Sequence, residues 1–121
     1  MIIDDDPLIS RMYQKRLSDD GHRVLTAENG SDGFVIAKRE HPDLILLDLM
    51  MPKLNGVETL KLLKNNSETK DIKVIILTNL ENTSDEIEKA KAMGALNYWI
   101  KASLPLKTLS ENVRVTLEVA Q

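Results

Sequence analysis

The sequence predicts an α/β fold: a doubly wound, five-stranded parallel sheet with helices on both faces. Two observations carry that prediction. Short apolar runs alternate five times with helix-period segments along the 121 residues, which is the pattern of strand–helix units joined by crossovers. The run Asp43-Leu44-Ile45-Leu46-Leu47 is almost unbroken in its apolarity, as a central strand covered on both faces must be. A chain of this length makes one domain, residues 1–121, with one sizeable core. Its 42% hydrophobic and 29% charged residues are an ordinary globular balance. A net charge of −3 argues against nucleic-acid binding as the chain's own activity. The absence of cysteine excludes disulfides and thiolate metal sites. No apolar run reaches the ~20 residues of a membrane span, and no signal-peptide pattern opens the chain, so a soluble, cytoplasmic domain is expected.

Taken in order, Met1-Ile2-Ile3 begins a first strand. Buried strands usually run about 5–6 residues, so this one reads as clipped and Met1 as an imposed start. Pro7, behind Asp4-Asp5-Asp6, suits a helix N-terminus. Leu8, Ile9, Met12, Tyr13 and Leu17 then recur at helical spacing up to Gly21. Residues 22–26 read as the second strand and Asn29-Gly30 as a turn. Ser31 is placed to cap a helix carrying Phe34, Val35 and Ile36, which ends near His41-Pro42. The third strand leads to Asp48, and Pro52 with Asn55-Gly56 announces the next helix, running to about Asn66. Val57, Leu60, Leu62 and Leu63 are its apolar face, and Lys61 and Lys64 its solvated one. Ile72 to Leu77 form a β-branched fourth strand ending at Thr78. Thr83-Ser84-Asp85-Glu86 cap a helix through Met93, closed by Gly94. Residues 96–100 are the fifth strand, ending at Lys101. Pro105 starts the last helix, Leu106 to about Ala120, with Leu109, Val113 and Leu117 facing inward.

In a parallel sheet, strand ends share one edge. Asp4 and Asp5, Asp48, Thr78 and Lys101 close the first, third, fourth and fifth strands, so residues distant in the chain converge in one crevice. Crowded carboxylates there repel, by about 4 kcal/mol per close pair at an effective dielectric near 20. A hard divalent cation and an ammonium group relieve that repulsion. Oxygen ligands without His or Cys point to Mg2+. A hydroxyl beside a cation and a lysine suits phosphoryl oxygens, and the Asp48 carboxylate can itself be the nucleophile, giving an aspartyl-phosphate. Asp6 stands apart as a helix-capping acid. Trp99 alternates with Tyr98 along its strand and is assigned to packing. His22 and His41 are isolated and flank loops.

These residues carry a resemblance. The acidic group Asp4-Asp5-Asp6, Asp48 followed by Met51-Pro52 and Asn55-Gly56, Thr78, Met93-Gly94-Ala95, Tyr98 and Lys101 together resemble the receiver domain of two-component response regulators, over essentially the whole chain. Each piece alone is weak; their order and spacing are a strong signal. The resemblance implies a flavodoxin-like sheet of order 2-1-3-4-5, for which the bacterial chemotaxis regulator is a standard example. It implies a phosphorelay receiver, a signalling domain and not an enzyme in the ordinary sense. Asp48 would accept a phosphoryl group from the phosphohistidine of a sensor histidine kinase or phosphotransfer protein. Asp5 and Asp48 would bind Mg2+ directly, Met50 through its backbone carbonyl and Asp4 mainly through water. Lys101 would pair with Asp48 and later with a phosphoryl oxygen. Thr78 would move toward the phosphoryl group and Tyr98 would rotate inward behind it, a population shift passed to the surface of the fourth helix, fifth strand and fifth helix. That surface would serve a downstream effector, a linked output domain or a phosphorylation-dependent dimer.

Other classes fit less well. A flavodoxin-type electron carrier needs a phosphate loop that Asp4-Asp5-Asp6-Pro7 would repel, and aromatics that a 3% content hardly supplies. An aspartate-nucleophile phosphatase shares the spacing of Asp4 and Asp6, but Pro7-Leu8 replaces the Gly-Thr it expects. The remaining alternative is a phosphorylation-independent, receiver-like interaction module. Asn79 stands at a position that is usually small in the family, and Ala102-Ser103 replaces the usual proline and aromatic after the lysine. A cis Lys101-Ala102 bond would cost roughly 2.5–4 kcal/mol, so a trans bond is expected, with Lys101 still reaching Asp48. With the sequence ending on its fifth helix, a single-domain regulator without an output domain, or a receiver taken from a longer protein, is expected.

Overall fold

The computed structural model describes residues 1–51, 54–79 and 84–118. Its five strands are β1 (Ile2–Ile3), β2 (Thr26–Ala27), β3 (Leu44–Asp48), β4 (Lys73–Thr78) and β5 (Asn97–Ile100). They form one parallel sheet of order β2-β1-β3-β4-β5, as expected. The helices are α1 (Pro7–Asp19), α2 (Gly30–Glu40), α3 (Gly56–Lys64), α4 (Ser84–Ala92) and α5 (Leu106–Glu118). Alternation along the strands sends successive side chains to opposite faces, and each face has its own core. Ile2, Leu44, Leu46, Ile75 and Leu77 meet Tyr13 and Leu17 of α1 and Leu109 and Val113 of α5. Ile3, Ile45, Leu47, Val74 and Ile76 meet Ala37 of α2, Leu60 and Leu63 of α3, and Ile87 and Ala90 of α4. All five residues of β3 are buried, which is why that strand lacks polar alternation. Tyr98 joins the α2–α3–α4 side and Trp99 the α1–α5 side.

Helix starts follow local chemistry. Asp6 caps α1 by accepting from the Leu8 and Ile9 amides. Asn55 and Glu58 form a reciprocal capping box on α3. Gly94, at φ +108°, turns the chain out of α4 toward β5, where a side chain would be strained. Asn29 caps α2 in place of Ser31, accepting from the Asp32 amide at 2.9 Å; its extended backbone and short amide side chain make it the better cap. The strand expected over residues 22–26 shortens to Thr26–Ala27, because β1 offers two residues as partners and the ladder ends with them. Helix α3 ends at Lys64, where the buried Thr69 hydroxyl donates to the Leu63 carbonyl at 2.6 Å. Lys64 is not part of a solvated face: its ammonium donates to the carbonyls of Lys70 and Ile72. Leu62, Met12, Leu8 and Val35 lie outward, so the inward stripes of their helices are narrower than the apolar pattern suggested. The expectations placed on Pro52, Thr83 and Ala120 lie outside the described residues.

Among the described residues no peptide bond is cis, so Lys101–Ala102 is trans as expected. Residues Lys101–Ser103 form a single 3-10 turn, and the Leu104 amide donates to the Lys101 carbonyl. That turn carries the chain directly into α5.

The approach of α3 to β3 fixes the backbone beneath Asp48. The Gly56 amide donates to the Leu49 carbonyl at 3.0 Å, and a Cβ at Gly56 would sit 2.5 Å from the Asp48 carbonyl oxygen and 2.6 Å from the Leu49 Cα. Both neighbours are backbone and cannot swing aside. Gly56→Ala is therefore expected to cost about 1–3 kcal/mol, measured as a lower urea midpoint. An unchanged midpoint would show that this approach relaxes freely.

Candidate functional site

Strand register builds the site. Ile3 pairs with Leu47, so Asp4 and Asp48, the next residues, lie at one level across the two strands. This is also where the strand order reverses, since β2 follows β1 on one side and β3 on the other, leaving the crevice typical of open α/β sheets. Thr78 pairs with Ile100, which puts the Thr78 hydroxyl and the following residue, Lys101, at the same edge. Alternation aims Asp4, Asp48 and Lys101 to the α1–α5 side and Thr78 to the other. The sequence-selected residues thus meet at one edge, arriving from both faces of the sheet.

Asp4, Asp5 and Asp48 can bring one carboxylate oxygen each within 4.8 Å of one another. Asp4 and Asp48 are buried, at 1% and 5% exposure, whereas Asp5 is open to solvent. The Lys101 ammonium, equally buried, bonds Asp4 Oδ2 directly and stands 3.5 Å from Asp48 Oδ2. The expected pairing of Lys101 with Asp48 is therefore shared, with Asp4 the nearer partner. Burial explains it: a carboxylate at the floor of the crevice needs a counter-charge more than one nearer the mouth. Asp4 Oδ1 accepts from the Asp6 amide at 2.9 Å. Asp48 Oδ1 accepts from the Met50 amide at 3.2 Å, which folds the backbone of residue 50 over the acid. The Met50 side chain is 56% exposed. Thr78 is fully buried at its strand end.

The electrostatic cost falls on Asp48. Its carboxyl is pushed up from 3.8 to about 7, mainly by desolvation and next by the Asp4 charge, with Lys101 and the Met50 amide opposing. Tyr13 lies on the same face and senses Asp4 as well; burial and that charge hold its phenol above the ordinary value. The donor set passes the test for a hard divalent cation: three carboxylates, no soft ligand, and an acid that remains under-compensated by the one ammonium. The tight Gly56 approach and the Asp4–Lys101 pair were not found from sequence. Asn55-Gly56 signalled only a loop and the start of the next helix, and no local pattern says which of two acids a distant lysine prefers.

A family model of the response regulator receiver domain matches residues 1–114. The chain belongs to the response regulator receiver family. It is 40% identical over 101 residues to Protein PilH of Pseudomonas aeruginosa, covering 84% of this chain and 83% of that protein. It is also 40% identical over 117 residues to a probable transcriptional regulator, ycf27, of Porphyridium aerugineum, covering 97% of this chain and 47% of the relative. The chain thus spans about half the length of the ycf27 relatives it matches. Among solved structures, Vibrio cholerae chemotaxis protein CheY4 superposes with a TM-score of 0.85 at 27% identity, covering 94% of this chain and 93% of that one. As a receiver domain of two-component systems, the chain is a signalling domain. Among the described residues, no helix is long and apolar enough to cross a membrane.

The raised Asp48 carboxyl has a consequence for stability. Between about pH 4 and 7 the native protein binds a proton that the unfolded chain has released, so stability falls as pH rises through that window. Without divalent cations, Asp48→Asn is expected to melt higher than wild type near pH 7.5, by a few degrees, ~1 kcal/mol being worth about 3–5 °C at this size. The gain should shrink near pH 5. Millimolar Mg2+ should raise the wild-type melting temperature more than that of Asp48→Asn or Asp5→Asn, since a ligand of the native state stabilises it. Equal Mg2+ responses in all three proteins would reject the metal site.

Proposed function

We propose that this receiver takes a phosphoryl group from the phosphohistidine of a sensor histidine kinase or phosphotransfer protein onto Asp48. The observation that carries the reading is a buried carboxylate held beside a second acid and a buried lysine at the sheet's switch point. An Asp48 oxygen attacks phosphorus in line with the departing imidazole. The P–O bond forms as the P–N bond breaks, and the imidazole leaves with its ring proton. The Met50 amide, donating to Asp48 Oδ1, orients the carboxylate so that the other oxygen is the nucleophile. Lys101, already 3.5 Å from Asp48, pairs with a phosphoryl oxygen as charge arrives there. Asp5, Asp48 and the Met50 carbonyl would hold Mg2+, with Asp4 reaching it through water. The ion supplies positive charge that offsets phosphoryl and carboxylate repulsion.

The Thr78 hydroxyl then bonds the phosphoryl group, Tyr98 rotates inward, and the surface of α4, β5 and α5 passes to its signalling arrangement. A downstream effector, a linked output domain or a second copy of the chain reads that surface. Residues 1–121 act as one receiver domain in the cytoplasm. Support comes from the membership of the family, the three-acid cluster and the common strand edge shared by Thr78 and Lys101.

Incubation with Mg2+ and a small phosphodonor should add one phosphoryl group to the intact mass of wild type and none to Asp48→Asn. Lack of Asp48-dependent phosphorylation would favour the phosphorylation-independent interaction module. The Asp48 phosphoryl group should persist well beyond seconds, because the exposed Met50 beside it cannot orient water by hydrogen bonding. Met50→Asn should shorten the lifetime, on the order of several-fold. Loss from wild type within seconds would reject this account of its lifetime.

A further inference from the structure

We infer that Lys91 is a positioning residue for Tyr98, a cation that pins the ring against α4 until the signalling arrangement is reached. The inference rests on the proposed switching role of Tyr98. Lys91 is the penultimate residue of α4, and its ammonium lies 5.2 Å from the centre of the Tyr98 ring. A cation over an aromatic face is attracted by the ring quadrupole, and the contact lies within the distance at which this operates. Lys91 also complements the carboxyl end of the helix macrodipole. Among the described residues it makes no ion pair, so the ring is its one partner there.

The place of Tyr98 gives this contact leverage. Strand β5 is an edge of the sheet, so the ring is packed from one side and only half-buried. Tyr98 pairs with Ile76, two residues before Thr78, and points to the same face as both. Its amide is held by the Asn97 side chain at 2.8 Å, which fixes the backbone and leaves the ring as the movable part. The covering helix is short, with Ile87 and Ala90 as its buried anchors among the described side chains, and Gly94 joins it to β5 at φ +108°. A ring that leaves its place must part from Lys91, so the last turn of α4 and Tyr98 respond together. Removing the cation, by substitution or by acylation of its nitrogen, favours the other ring position.

The chain has two tyrosines, and Tyr13 is buried on the opposite face of the sheet. Fluorotyrosine labelling therefore gives a reporter at Tyr98 and an internal reference at Tyr13. Spectra of wild type, Lys91→Arg and Lys91→Met would be recorded alone and with Mg2+ plus beryllium fluoride, a phosphoryl mimic. Without ligand, Lys91→Met should move the Tyr98 signal and leave that of Tyr13 in place, while Lys91→Arg, which keeps the cation, should match wild type. At half-saturating beryllium fluoride, Lys91→Met should show about a 2–5-fold larger ratio of switched to unswitched Tyr98. Thermal melts followed through Trp99 confirm that each variant is folded. Identical Tyr98 signals in wild type and Lys91→Met without ligand overturn the inference. A Tyr98 signal that depends on Lys91 but ignores beryllium fluoride in all three proteins supports the contact and overturns the switching role of Tyr98 instead.

Discussion

One ammonium facing two buried carboxylates governs the active edge of this domain. Lys101 is held between Asp4 and Asp48, with Asp5 a third acid at the mouth. A single cation cannot neutralise the cluster, and burial together with the neighbouring Asp4 charge raises the Asp48 carboxyl to about 7. The same imbalance makes the pocket receptive. On the proposed function, the site holds carboxylates closer together than they would choose so that a divalent cation and then a phosphoryl group can bind. On that reading the fold carries a local destabilisation that a bound cation would relieve.

The rest of the molecule exists to hold that arrangement. Two separate cores grip the sheet from either side, and burial of every β3 residue leaves the strand no freedom to slide. Gly56 lets α3 approach the backbone at Asp48 and Leu49, fixing the segment that presents the acid. The 3-10 turn at Lys101–Ser103 brings the lysine inward with a trans peptide bond. A domain of this size has a net stability on the order of 5–15 kcal/mol, so the cost of crowded charge is a sizeable fraction of it. That cost is tolerable because it is confined to one edge of an otherwise apolar sheet.

Much of this was legible in the chain. The third strand, the acids after β1, Asp48, Thr78 and Lys101 could be read because strand order and a common edge convert sequence position into proximity. Alternation correctly separated Tyr98 from Trp99. The misses share a physical cause, namely interactions that local pattern does not encode. Residues 22–25 have strand-like composition, but pairing requires a partner, and β1 offers two residues. Lys64 sits where a helix pattern expects solvent, yet loop carbonyls fold back to meet it. Lys101 had two acids within reach, and only the depth of each in the crevice decides the preference for Asp4. The Lys91–Tyr98 contact depends on how α4 is laid over an edge strand.

The central claim is that burial, with the Asp4 charge beside it, holds the Asp48 carboxyl up in the metal-free protein. Carbon-detected NMR titration of the aspartate side-chain carboxyls tests it most directly, in protein stripped of divalent cations and again with saturating Mg2+. The account predicts an Asp48 midpoint near 7 without metal, falling toward the ordinary carboxylate range when Mg2+ is present, and falling partway in Asp4→Asn. A midpoint near 4 in the metal-free protein, or one that ignores both Mg2+ and the charge at Asp4, would contradict it.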